Sequence, residues 1–178
     1  MEQRLGPEEW PYQGRTISVR VDPVQVNTVI TTREVVVRVP AVAVLAETED
    51  SRLVVIKQHR WAVRQTLYEL PAGKMDHGEG AIQAAKRELL EETGYQAEKW
   101  QLVTTFYPSP GYTDEKVFLY HASGLSYSQS RLDADEEIET ELWTLEDTEH
   151  FVQSTQGVNG IALIGLQWWL CRKLDRSP

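Results

Sequence analysis

Glu88, Glu91 and Glu92 stand three and four residues apart in a stretch, Leu70 to Tyr95, that reads LPAGKMDHGEGAIQAAKRELLEETGY. On a helix that spacing puts all three carboxylates on one face. Like charges so placed destabilise a helix by about a few tenths of a kcal/mol per pair, so a positive partner is expected. Arg87 can pair with Glu91 one turn on, but one guanidinium does not neutralise three carboxylates. Carboxylates, carbonyls and water are the ligand set that Mg2+ or Mn2+ prefers, and the backbone carbonyl of Ala72 is a further candidate ligand beside them. A glutamate run taken alone reads as a solvated helix face, so the surrounding pattern has to decide.

The element that carries these residues is predicted to be a helix over Glu79 to Thr93, free of Gly and Pro after Gly80. Ile82, Ala85 and Leu89 recur at helical spacing as its apolar face, and Gly94 is placed to end it. Pro71-Ala72-Gly73 ahead of it is a turn signal. A second acidic run, Asp133 to Glu139, holds five carboxylates in seven residues. By composition alone that run is a mobile acidic loop.

Gly73, five residues, Glu79, seven residues, then Arg87-Glu88-Leu89-Leu90-Glu91-Glu92-Thr93-Gly94-Tyr95 resembles the Nudix box at every defining position. The resemblance implies hydrolysis of a nucleoside diphosphate linked to another moiety. It implies Glu88 and Glu92 as principal metal ligands, Glu91 as a ligand or near-ligand, Arg87 as the residue orienting the acids, and Glu79 as a brace. Outside the box, Arg33-Glu34-Val35-Val36, Gln58-His59-Arg60, Glu69 to Gly73, and Ser109-Pro110-Gly111 followed by Asp114-Glu115 resemble the ADP-ribose pyrophosphatase branch. Pro110, 16 residues past Gly94, stands where a proline marks that branch.

From this branch Arg33, Glu34, Arg60, Pro110 and Gly111 are implied to bind substrate, the two arginines as guanidinium forks for a pyrophosphate. Glu137 or Glu136 is implied as a loop carboxylate that deprotonates water or ligates metal, with Ile138 anchoring the base of the loop. The implied cofactor is Mg2+, with Mn2+ as the alternative ion, and the products are AMP and ribose 5-phosphate. Gly14-Arg15-Thr16 stands where relatives often place an aromatic residue against adenine, so Trp10 and Tyr12 are candidates to stack on the base. GDP-mannose or another nucleoside diphosphate sugar is the alternative substrate, and a non-catalytic nucleotide sensor is the alternative of another class.

The 178 residues carry a net charge of −9, and no long basic stripe is present, which argues against RNA, DNA or an anionic membrane as partner. Cys171 is the only cysteine, so no internal disulfide forms and a reducing cytoplasm is the expected setting. No apolar run has signal-peptide or membrane-span length. The four histidines are not spaced as a metal set and read as polar loop or edge residues.

Residues 1 to about 13 read as a loosely held arm. Strands are expected around Thr16–Val21, Val24–Ile30 with Pro23 as a break, Glu34–Val39, Ala41–Ala46 as a buried strand, Leu53–Lys57, Leu67–Leu70, Leu102–Tyr107, Lys116–Ala122, and Leu142–Trp143. Helices are expected at Leu145–Val152, capped near Thr144, and at Val158–Leu174. This order predicts an α+β fold with a mixed sheet. The resemblance specifies a Nudix-type α/β/α sandwich with an N-terminal antiparallel β subdomain. Residues 1–40 would then be an arm and subdomain used for homodimerisation, and 41–178 the hydrolase domain.

Overall fold

A computed structural model describes residues 2–130, 137–154 and 158–174. The chain divides into two compact units, one of Met1–Pro40 with Phe106–Lys116, the other of Ala41–Thr105 with Val117–Pro178.

The first unit is an antiparallel sheet centred on β3 (Ser18–Val26). Along one edge lies β4 (Val29–Val37), paired from Ser18↔Val37 to Val26↔Val29. Along the other, β1 (Glu2–Arg4) and β2 (Glu9–Gln13) follow one another. The expected loose arm is thus two strands, and the expected break at Pro23 is strand interior. The physical reason is the side to which Pro23 points. Its carbonyl accepts the Leu5 N–H at 2.9 Å, so its missing N–H faces the gap between β1 and β2, and no bond to β4 is lost. Asn27, at φ 56°, supplies the left-handed residue of the two-residue turn into β4. The loop after Pro108 is laced to β4: Val36 N–H donates to the Tyr112 carbonyl at 2.7 Å, and Arg38 N–H to Asp114 Oδ1 at 2.9 Å.

The second unit holds β5 (Ala41–Glu47), β6 (Leu53–Arg60), β7 (Gln65–Glu69), β8 (Ala72–Lys74), β9 (Tyr95–Phe106), β10 (Val117–Tyr127) and β11 (Ile138–Trp143), with α1 (Ala81–Thr93), α2 (Leu145–Val152) and α3 (Gly160–Leu174). The sheet runs β11-β6-β5-β10-β9, with β7 added on β6 and β8 on β5. The β5–β10 pairing is parallel and those of β6 with β5, β7 and β11 antiparallel, so the sheet is mixed as expected. Ala41 through Ala46 are all buried, because β5 is covered on both faces. Val42, Val44, Ala46 and Val54 pack with Ala84, Ala85 and Leu89 of α1. On the opposite face Gly165 of α3 lies so close to Leu70 and Leu45 that an added Cβ would crowd Leu70 Cδ1 at 2.6 Å.

Helix α1 begins two residues later than expected, because Gly80 is extended and Glu79 is used outside the helix. Its buried face is Ala84, Ala85 and Leu89, with Ile82 only half-buried. At α2 the reading holds: Thr144 and Asp147 form a reciprocal capping box. Two elements extend well past the expected spans, β9 back to Tyr95 and β10 on to Tyr127, and β8 was hidden in a turn signal. His121, expected at a loop or edge, is instead buried in β10 and bonds Glu47 Oε2 at 2.8 Å. Among the described residues no helix is long and apolar enough to cross a membrane.

Candidate active site

The second unit places the acidic helix face against β8. Helix α1 ends at Gly94, in the left-handed region at φ 74°, whose N–H donates to the Leu90 carbonyl. In the last turn before that end, Glu92 is only 5% exposed. A carboxylate so buried needs donors, and Ala72 N–H supplies one to its Oε2 at 2.9 Å. Gly73, paired with Val42, meets Glu88 so closely that any Cβ would overlap the carboxylate. A Cβ at this position would therefore displace the Glu88 carboxylate from the strand.

Arg87 organises the rest. Its Nε and Nη2 hold Glu79 at 3.1 and 3.0 Å, Nη2 donates to the Lys74 carbonyl at 2.9 Å, and Nη1 reaches Glu88 and Glu91 at 2.8 and 3.0 Å. Glu79 also accepts the Asp76 N–H at 3.0 Å, tying the loop before the helix to the same guanidinium. The hydrogen bonds from Arg87, then that from Asp76, hold the Glu79 carboxyl below its ordinary range. The Arg87 guanidinium is in turn pushed further up by Glu79 and by the neighbouring acids. Among the described residues no three ligand-type side chains are already gathered tightly enough to hold an ion. The donor chemistry nevertheless fits a hard divalent cation: three carboxylates, at positions 88, 91 and 92, on one face of the helix, one of them buried, with a backbone strand close by.

In the first unit a cleft of about 450 Å3 brings together Arg33, Glu34, Pro110 and Gly111, with Arg20 and Tyr112. Arg33 is not a free fork. Its Nε and Nη2 bond Glu2 at 3.1 and 2.7 Å, and this contact holds the Glu2 carboxyl below its ordinary value. Trp10, expected to stack on a base, has the Arg20 guanidinium 6.0 Å from its ring centroid, and neither it nor Tyr12 lines the cleft. The aromatic residue there is Tyr112, whose position in the Pro-Gly-Tyr-Thr-Asp turn was the available signal.

A family model described as NUDIX domain matches residues 37–158. The chain belongs to the Nudix family. It is similar to an ADP-ribose pyrophosphatase of Bacillus subtilis (strain 168), with 37% identity over 94% of this chain and 92% of the relative. It is also similar to a methanol dehydrogenase activator of Bacillus methanolicus, with 34% identity over 94% and 92%. A solved structure titled as an ADP compounds hydrolase superposes with a TM-score of 0.84 at 21% identity, over 98% of this chain and 94% of the other. That last likeness concerns the fold. The protein is a Nudix hydrolase of α+β architecture.

Two further positions expected in this Nudix site lie in the second unit. Arg60, expected as a second free fork, is bonded through Nε and Nη2 to Glu69 at 2.7 and 2.8 Å across the β6–β7 hairpin. Glu69 is 3% exposed, and so buried a carboxylate is tolerable only with such a partner. The sequence showed Glu69 as a strand residue and carried no sign of its pairing. Glu137 is exposed and directly precedes β11, whose first residue, Ile138, is in register with Gln58. Glu136 lies outside the described residues.

Proposed function

We propose that this Nudix hydrolase cleaves the pyrophosphate bond of ADP-ribose to AMP and ribose 5-phosphate. The observation that carries the reading is the carboxylate set of α1, seated on Gly73 and oriented by Arg87. The ADP-ribose pyrophosphatase that is 37% identical over nearly the whole chain supports the substrate.

Glu88 and Glu92, with Glu91 and the Ala72 carbonyl, are the residues that would hold Mg2+ or Mn2+. When bound, such an ion offsets charge on phosphate oxygens and makes water more acidic. Arg87 keeps Glu88 and Glu91 in place, and Glu79 keeps Arg87 in place. Glu137 or Glu136 takes the proton from the attacking water as a P–O bond forms and the bridging P–O bond breaks, releasing two phosphomonoesters. Arg33, Glu34, Arg60, Pro110 and Gly111 bind the substrate, the arginines after exchange of their present carboxylate partners for phosphate oxygens.

The first unit has exposed apolar residues on its strands, among them Tyr12, Val29 and Ile30, and we assign it the homodimer contact. The net charge of −9 supports a small-molecule substrate rather than RNA or DNA, and the lone cysteine is in keeping with the cytoplasmic residence we assign. A panel of nucleoside diphosphate sugars with Mg2+ or Mn2+, read as released phosphate after phosphatase, tests the function. ADP-ribose is expected to be hydrolysed fastest; preference for GDP-mannose, or no hydrolysis of any member, would refute it. Light scattering is expected to give twice the 20.4 kDa chain mass, and the monomer mass would refute the dimer.

A further inference from the structure

Glu2 and Arg33 stand on opposite edges of the first unit's sheet. Glu2 is in β1, opposite Val26, while Arg33 is in β4, opposite Asp22, with β3 between them. The Arg33 side chain nonetheless reaches across and makes the two-pronged contact with Glu2 that a guanidinium makes with a phosphate. It does so although Asp22, directly across the strand pair, has an Oδ1 that is buried and without a donor; Asp22 Oδ2 is taken by Arg20 Nε at 2.9 Å. Arg33 and Glu2 side chains are 45% and 48% exposed, so an anion arriving from solvent can compete for the fork. The charge balance of the cleft gives that competition weight. Its lining carries three carboxylates, Glu2, Glu34 and Asp114, against two guanidinium groups, Arg20 and Arg33, and Arg20 is already bonded to Asp22, so the lining is net negative with Glu2 in place.

We propose that Glu2 is a built-in competitor for the Arg33 fork, a positioning residue that an incoming phosphate group must displace, so that ligands that use the fork bind more weakly than they would to an unoccupied Arg33, while neutral nucleosides, which do not use it, are unaffected. The proposal rests on the ADP-ribose reading of this enzyme. An ion pair as exposed as this one shifts an equilibrium by roughly 1.5- to 5-fold, which sets the size of the effect.

The test is titration calorimetry of ADP-ribose into the full chain in EDTA, so that binding is read without turnover, with hydrolysis by the wild-type protein in Mg2+ measured alongside. Glu2→Gln is expected to tighten ADP-ribose by roughly 1.5- to 5-fold and to leave adenosine binding unmoved. Glu2→Asp, which keeps the charge, is expected to restore the wild-type affinity. Arg33→Gln should weaken ADP-ribose, and in that background Glu2→Gln should change nothing. Unchanged or weaker binding by Glu2→Gln would overturn the proposal, because Glu2 would then be idle or would hold Arg33 ready for the ligand. An equal gain in the Arg33→Gln background would overturn it as well. A wild-type protein that hydrolyses ADP-ribose but ignores the Glu2 change refutes this proposal alone, whereas one that does not hydrolyse ADP-ribose refutes the substrate reading and this proposal together.

Discussion

Replacing Gly73 by alanine tests the packing that seats the acidic helix on β8. The new Cβ would overlap the Glu88 carboxylate, and the strand cannot withdraw freely because Ala72, Gly73 and Lys74 are all paired with β5. Glu88 must therefore leave, giving up its 2.8 Å bond to Arg87. Because the Cβ would strike only the carboxylate at the far end of the flexible Glu88 side chain, the steric cost itself is small. The lost charge-assisted bond, discounted because Arg87 is 28% exposed, costs about 1 kcal/mol. A total of about 1 kcal/mol corresponds to a fall in Tm of roughly 2–4 °C for a chain of this size. The decisive arm is the same substitution in a Glu88→Ala background, where no carboxylate remains to be struck. Gly73 does not have a left-handed φ, so alanine there should be neutral, or stabilising by about 0.4–1 kcal/mol through the unfolded chain. Calorimetric or denaturant unfolding of the four proteins in EDTA measures the coupling. An equal cost of Gly73→Ala in both backgrounds would show that strand and carboxylate do not meet as described.

Glu92→Gln should fold normally, since an amide oxygen can still accept the Ala72 N–H, while kcat falls by orders of magnitude; near wild-type turnover at saturating Mg2+ would remove Glu92 from the ligand set. Of Glu137→Gln and Glu136→Gln, the former is expected to lower kcat by roughly 10²- to 10⁴-fold with little change in ADP-ribose affinity, and full kcat in both would place the base elsewhere. The third concerns Glu47, whose carboxyl is pushed up by burial but brought down to about 2 by the hydrogen bonds and charges of His121 and Lys173 acting together. A folded-state pKa depressed below the ordinary 4.5 contributes stability that is complete above that value and is lost as pH falls toward 2. The Tm gap between wild type and Glu47→Gln should therefore narrow from pH 5 to pH 2.5, and a constant gap would show that the pair is not linked to stability.

What the sequence by itself determined is local. Glu88, Glu91 and Glu92 share a face because helical period and their spacing require it, Gly94 ends α1 because glycine accepts the left-handed backbone, and Thr144 with Asp147 caps α2 over three residues. Even the Arg87 contacts to Glu88 and Glu91 were within reach of one helical turn. The tertiary structure decided everything that depends on register between distant strands. Whether Pro23 breaks a strand depends on which neighbour its missing N–H faces, and Glu2–Arg4 and Glu9–Gln13 are strands only because β3 offers them an edge. Residues 31 positions apart in sequence, Glu2 and Arg33, and nine apart, Arg60 and Glu69, became partners in the same way, converting two expected free forks into occupied ones. Short-range periodicity and capping chemistry are written in neighbouring residues, but an ion pair between strands exists only after the chain has chosen its pairing, and no single stretch of sequence contains that choice.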